Sequence, residues 1–446
     1  MIIIICSHIE VKLPMYIQRL FLSIIAFFAV VGANAQPAER LYKLSVYPET
    51  GEWTYEPGQK VKFSVNLFRC DVPTGDMELS YDISEDMMQP HKTGKVKLKN
   101  GHAIIDGGSM SQPGFLRCRV YLKQDGRDYE GVGTVGFSPE RLSPITSQPA
   151  DFREFWDKAV ADARKWALEP TMTLMPERCT SKVNVYHVSW INNGWGSRMY
   201  GILTMPSAPG KYPAILKLPG AGVRGYSGDV SHTEKGVMIL EIGVHGLPVN
   251  LPAETYVSLY NGPLKGYHSF NMDDRDRYYY KRILTGCVRA IDFIEQLPEF
   301  NGCLATFGGS QGGGLSIIVA GLDPRVKGLV SYYPAMSDMA GYTAGRAGGW
   351  PHTLKDKKFH TPEIVNTLAY YDVSSFAREV KVPGFYTFGY NDMVCPPTTT
   401  MSVYNVIDAP KELKIAETTA HYAYAEQGYD AWRWILDFLS NCSAGR

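Results

Sequence analysis

Leu304-Ala305-Thr306-Phe307-Gly308-Gly309-Ser310-Gln311-Gly312 decides how this chain is read: four residues of strand character run into a G-x-S-x-G turn. Leu315, Ile318 and Val319 follow at helical spacing, so the serine sits between a strand and a helix. A side chain on so sharp a turn is held clear of both elements. Glycines two before and two after it let the two backbones approach without Cβ clashes. With 43 glycines in 446 residues the short pattern alone is weak. The flanking strand and helix make it a nucleophile elbow.

An elbow serine needs a base and an acid, and in such folds they follow it in the order Ser, Asp or Glu, His, each on a loop after a later strand. Of the ten histidines, His421 alone lies beyond the candidate acid, after Lys414-Ile415-Ala416. Asp392 follows the strand-like Gly384-Phe385-Tyr386-Thr387-Phe388, although an aspartate there also suits an ordinary turn. The expected roles are Ser310 as nucleophile, His421 as general base and Asp392 as the acid orienting it. The backbone N–H of Gln311 is one expected oxyanion donor. The second is expected from Pro219-Gly220-Ala221-Gly222, after the strand-like Ile215-Leu216-Lys217-Leu218, with the Ala221 N–H favoured. His245 is either pocket-lining or structural.

Outward from the elbow, short apolar runs alternate with helical stretches: 214–218, 237–242, 304–307, 328–332, 385–388 and 413–416, with helices expected over 278–296 and 311–320. That alternation predicts an α/β-hydrolase fold with a doubly wound, mostly parallel sheet spanning residues 151–446. Asp151 with Glu154 reads as a cap for a helix with Phe152, Phe155, Trp156, Ala159, Val160 and Ala163 on one face. Upstream the period changes to two, as in Val61, Phe63, Val65, Leu67 and again in Leu116, Cys118, Val120, Leu122. Residues 36–138 are therefore expected to form a small all-β, Ig-like sandwich, and the proline-rich 139–150 a linker isolating it. A chain beginning near Ser147 should then keep its chemistry. Trp350 and Tyr342 lie in a Gly-rich stretch that reads equally as a substrate lid or a solvent loop.

Forty-five basic residues balance forty-five acidic ones. No net field draws the chain to nucleic acid or to an anionic membrane. Lys12 and Arg19, the apolar run 20–31 and Ala33-Asn34-Ala35 read as a signal peptide over 1–35, with Met15 an alternative start. That run is well short of the ~20 residues that span a bilayer. A secreted or periplasmic protein, free of the membrane after cleavage, is the expectation. Seven of eight cysteines remain, an odd number, and Cys70 and Cys118 either pair or stay as thiols. No cysteine or histidine spacing suits a metal, and neither cofactor nor metal is expected.

Residues 149–440 resemble the acetyl xylan esterase/cephalosporin C deacetylase family. The resemblance rests on Asp151-Phe152-Arg153-Glu154-Phe155-Trp156-Asp157, Val288-Arg289-Ala290-Ile291-Asp292, the elbow with Gly313, Thr367-Leu368-Ala369-Tyr370-Tyr371-Asp372, Asp392-Met393-Val394-Cys395-Pro396-Pro397 and Ala409-Pro410-Lys411-Glu412. It implies Ser310, Asp392 and His421 as the functional trio, and removal of acetyl groups from a carbohydrate such as acetylated xylan. Pro219-Gly220-Ala221 stands where the family usually has His-Gly-Tyr, 242–247 replaces an Asp-x-Arg-Gly-Gln-Gly stretch, and Tyr422 follows the histidine in place of Glu. The β module is extra relative to the compact hexameric members; a homo-oligomer is possible but not indicated. An esterase for another acyl group and a non-catalytic carbohydrate-binding protein are the alternatives.

Overall fold

A computed structural model describes residues 40–444, so the expected signal peptide, Met15 and Cys6 lie outside the described residues. Among these, one nine-stranded sheet has the spatial order Thr171–Leu174, Val183–Ile191, Arg198–Pro206, Met238–Gly243, Tyr212–Leu218, Phe300–Gly309, Val326–Tyr332, Gly384–Phe388, Lys411–Ile415. The last six run parallel and the first three close one edge as antiparallel strands. The antiparallel strands are additional to the expected pattern, because their hairpins carry mixed rather than continuous apolar runs.

Both faces of the inner parallel strands are buried, and alternate residues serve opposite cores. Leu216, Leu240, Leu304 and Leu329 pack with helices Tyr280–Ile294 and Gln311–Leu322. Their neighbours Ile215, Ile239, Ala305 and Val330 pack with Ala431, Ile435 and Leu439 of the C-terminal helix, Ala425–Ala444, on the other face. This is the doubly wound arrangement, and it puts the ends of Phe300–Gly309, Gly384–Phe388 and Lys411–Ile415 side by side along one rim.

The N-terminal region forms two packed, largely antiparallel sheets. Val61, Phe63, Val65 and Leu67 of one meet Leu79, Ile83, Leu116, Cys118, Val120 and Leu122 of the other, as their period of two requires. Residues 139–150 are pinned rather than a free spacer. Leu142 is buried in a cluster with Phe115, Phe388, Tyr390 and Met401, and the Ile145 and Thr146 amides donate to Asp338 Oδ1 at 2.8 and 3.0 Å. The expectation of an isolated module meets a continuous apolar interface instead.

One local expectation is corrected, and of two readings of a cysteine pair one holds. Asp151 precedes helix Phe152–Arg164 but caps nothing; Arg275 Nη1 donates to its Oδ2 at 2.8 Å and the Tyr370 hydroxyl to its Oδ1. Cys70 and Cys118 are free thiols, one exposed and one buried, and the disulfide joins Cys303 to Cys442, tying the elbow strand to the C-terminal helix. A separation of 139 residues hides that pairing from any local reading. The stretch around Tyr342 and Trp350 is no loose loop: both rings pack on the main core and the Tyr342 hydroxyl lies 2.9 Å from His352 Nδ1.

Candidate active site

Ser310 occupies the turn between strand Phe300–Gly309 and helix Gln311–Leu322 with φ 58° and ψ −122°, a conformation that costs on the order of 1–3 kcal/mol for a residue bearing a Cβ. Its surroundings hold it there. Its N–H donates to Tyr332 O at 3.1 Å, while its carbonyl accepts from Gly314 N–H at 3.0 Å and Ala335 N–H at 2.9 Å.

The structure brings Ser310, His421 and Asp392 together from the ends of three strands. His421 Nδ1 is 2.8 Å from Asp392 Oδ2, and its Nε2 is 3.0 Å from Ser310 Oγ. A carboxylate only accepts, so in the neutral ring Nδ1 carries the proton and the Nε2 lone pair faces the serine hydroxyl. Asp392 is fully buried, and its Oδ1 accepts from the Val394 and Cys395 amides at 2.8 and 2.9 Å. Asp392, Cys395 and His421 also bring possible metal-ligand atoms within 4.8 Å of one another, but the carboxylate and imidazole are engaged with each other and burial pushes the Cys395 thiol well up.

Gln311 opens the helix, so its N–H has no acceptor within it. Its side chain is fully buried: Oε1 accepts from the hydroxyls of Tyr267 at 2.7 Å and Tyr280 at 2.8 Å, and Nε2 donates to Pro219 O at 3.4 Å. Thus the residue after the serine is tied directly to the loop holding Ala221. From that loop Gly222 N–H donates to Tyr267 Oη at 3.3 Å, Gly222 O lies 3.1 Å from His245 Nε2, and Arg224 donates to Ala221 O. Two backbones, 219–222 and the elbow, are therefore fixed against each other by side chains.

One family description matches residues 140–438, that of the acetyl xylan esterases. The chain belongs to the acetyl xylan esterase family. It is therefore a carboxylic ester hydrolase, and the reading as a non-catalytic binding protein is set aside. It is 40% identical over 418 residues to acetyl esterase Axe7A of Xylanibacter ruminicola, covering 92% of this chain and 94% of that one, so the likeness takes in most of the β module. Acetyl xylan esterases from a Paenibacillus and a Thermoanaerobacterium species match in structure with TM-scores of 0.57 and 0.58 at 24% and 23% identity. Each match covers 67% of this chain and 97% of the other; these two support the α/β-hydrolase fold alone.

The ring of support around Gln311 was not legible beforehand. Tyr267 and Tyr280 were two among 28 tyrosines, and only the network singles them out. His245, left open between two roles, is structural. Its Nε2–H donates to the Gly222 carbonyl and its Nδ1 accepts from the Tyr279 hydroxyl at 2.9 Å. Burial drives its pKa down to about 4 from 6.5. A folded value below the unfolded one means stability present in full above pH 6.5 and lost as the pH falls toward 4, on the order of 2–3 kcal/mol for this group. Urea unfolding of wild type and His245→Gln across pH 4–7 checks this: the variant should lose less stability on acidification. Parallel curves would mean that His245 does not titrate with unfolding.

Proposed function

We propose that this chain is an exported serine esterase that removes acetyl groups from carbohydrate, acetylated xylan or its oligosaccharides, through an acyl-enzyme intermediate. The observation that carries the reading is the hydrogen-bonded Ser310–His421–Asp392 relay in a member of this family. His421 takes the serine proton as Oγ attacks the ester carbonyl, then returns it to the departing sugar alkoxide. Asp392 holds the ring and stabilises the imidazolium. The Gln311 and Ala221 amides receive the oxyanion. Water repeats the sequence on the acyl-enzyme and frees acetate.

A sugar substrate fits the rim, where Tyr422 and Tyr424, which follow His421 in the chain, stand exposed with ring centroids 5.9 Å apart, and where Met393 and Val394, which follow Asp392, are exposed as well. Export fits the leader at 1–35 and the Cys303–Cys442 bridge, since disulfides persist in oxidising compartments. Among the described residues no helix is long and apolar enough to cross a membrane. The test is acetate release from acetylated xylan against release from small aryl acetates. Turnover of aryl esters with no acetate from xylan would sink the carbohydrate assignment and leave the esterase.

A second reading, an esterase for bulkier acyl groups, is favoured by Ala221, whose methyl stands where the family usually presents a tyrosine ring. Propionyl and butyryl esters should be hydrolysed with little penalty relative to the acetyl ester, well short of the roughly 10- to 200-fold that each methylene can cost in a close-fitting apolar pocket. An acyl-length series measures it. Strict acetyl selectivity would show that another side chain closes the space.

A further inference from the structure

Strand Gly114–Gln124 of the N-terminal module turns Leu116, Cys118, Val120 and Leu122 into its own core, so the period of two sends Phe115 and Arg117 outward. Yet these outward residues are 1% and 2% exposed. Phe115 packs edge-on to Tyr390, ring centroids 4.9 Å apart. The Arg117 guanidinium passes into the hydrolase half, where Nη2 donates to the carbonyl of Tyr390 at 3.2 Å and to that of Asp392 at 3.4 Å. Its Nε donates to Thr134 Oγ1 at 3.0 Å.

The positive charge is balanced from the same module. Asp86 Oδ1 lies 2.8 Å from Arg117 Nη2, both side chains 2% exposed, and Asp86 Oδ2 accepts from the Thr398 amide and hydroxyl at 3.2 and 2.8 Å. Between those grips, the Asn391 side chain donates to Val132 O at 3.0 Å on the neighbouring strand of the module. Residues 390–398 are thus held from the β module at 390, 391 and 392 and again at 398, and they carry Asp392. Arginine suits the place: it stays charged, and its planar fork serves several acceptors at once.

We propose that Arg117 is a positioning residue for the ester-hydrolysing site, setting through the Tyr390 and Asp392 carbonyls the angle at which the Asp392 carboxylate meets His421. The β module is then part of the active-site framework. This rests on the reading of Ser310, His421 and Asp392 given above, and it replaces the expectation that residues before Ser147 are dispensable for the chemistry.

The test uses the full chain as an Asp86→Asn/Arg117→Met double variant, which removes both charges so that neither is left buried and unpaired. Rates on a small aryl acetate are expressed per serine titrated with an organophosphonate, so that loss of folded protein is not read as loss of rate. The expected result is a kcat lower by about 10- to 100-fold, as for a displacement of an ångström or less, with KM nearly unchanged. The acidic limb of kcat/KM should move to lower pH, because an imidazolium that loses its carboxylate is less stable. Arg117→Lys, which keeps the charge but not the fork, should fall between and serves alone if the double variant does not fold. Wild-type kcat per serine with an unmoved limb, whatever the melting temperature, overturns the inference. Asp392→Asn run alongside separates the failures: if it too retains its rate, the reading of the site fails first.

Discussion

Ser310→Ala is expected to leave the fold intact and to lower kcat for ester hydrolysis by on the order of 10³ to 10⁶, the range for removing the nucleophile from a serine relay. The hydroxyl lies 3.0 Å from His421 Nε2, on the turn that opens helix Gln311–Leu322, as the proposed attack requires. His421→Ala should cost nearly as much, because without the 3.0 Å acceptor the hydroxyl keeps its proton at the moment of attack. The losses should not add: either change disables the same proton-coupled step, so the double variant should match the worse single one. Asp392→Asn should be milder, leaving the ring a partner of the wrong polarity. A serine-directed organophosphonate should label wild type once, at Ser310, and the alanine variant not at all. If Ser310→Ala kept a tenth of the wild-type rate, or the label fell elsewhere, the elbow would be an ordinary turn and another nucleophile would have to be sought.

The elbow was legible because its chemistry is local: a strand, a serine at positive φ and the glycines around it are contiguous, and the order of acid and base follows from strand succession. What escaped was whatever depends on distant strands becoming neighbours. Arg117 sits in an alternating strand pattern in which its face reads as solvent-exposed, and only contact with residues 273 and 275 positions further along buries it. Cys303 and Cys442 are joined across 139 residues, and Gln311 is held by tyrosines 44 and 31 residues before it. Of these only Arg117 offered a signal in its residue type, a charge within an alternating apolar strand. The partner could not be named until the chain had folded. The linker misled for a related reason: prolines and few apolar residues describe a segment without regular structure equally well whether it swings free or, like 139–150, is pinned by Leu142 and the Asp338 carboxylate.

Gly312→Ala should cost about 3 kcal/mol or more of stability and lower activity by on the order of 100-fold, although alanine is the better helix former by up to ~1 kcal/mol. Gly312 is the second residue of helix Gln311–Leu322, and a Cβ there would run into the carbonyl oxygen of Leu218, with the Leu218 and Pro219 carbonyl carbons at 2.9 and 3.1 Å. These are backbone atoms at the end of the strand paired with the elbow strand, Leu218 opposite Gly308, and of the residue just after it, and they cannot rotate aside. Relief therefore requires the helix to tilt or loop 219–222 to retreat. Either movement stretches the Gln311 Nε2 to Pro219 O bond and separates the two amides proposed to receive the oxyanion. The matched control is Gly428→Ala in the C-terminal helix, where a Cβ meets nothing within 4 Å and propensity alone should add about 0.5–1 kcal/mol. The same added methyl should thus destabilise at one position and stabilise at the other, by urea unfolding, with only the first affecting kcat. Equal melting temperatures and rates for the two variants would mean that the elbow tolerates a wider gap than its geometry implies, and the close approach of helix and loop would lose its place in the account of the site.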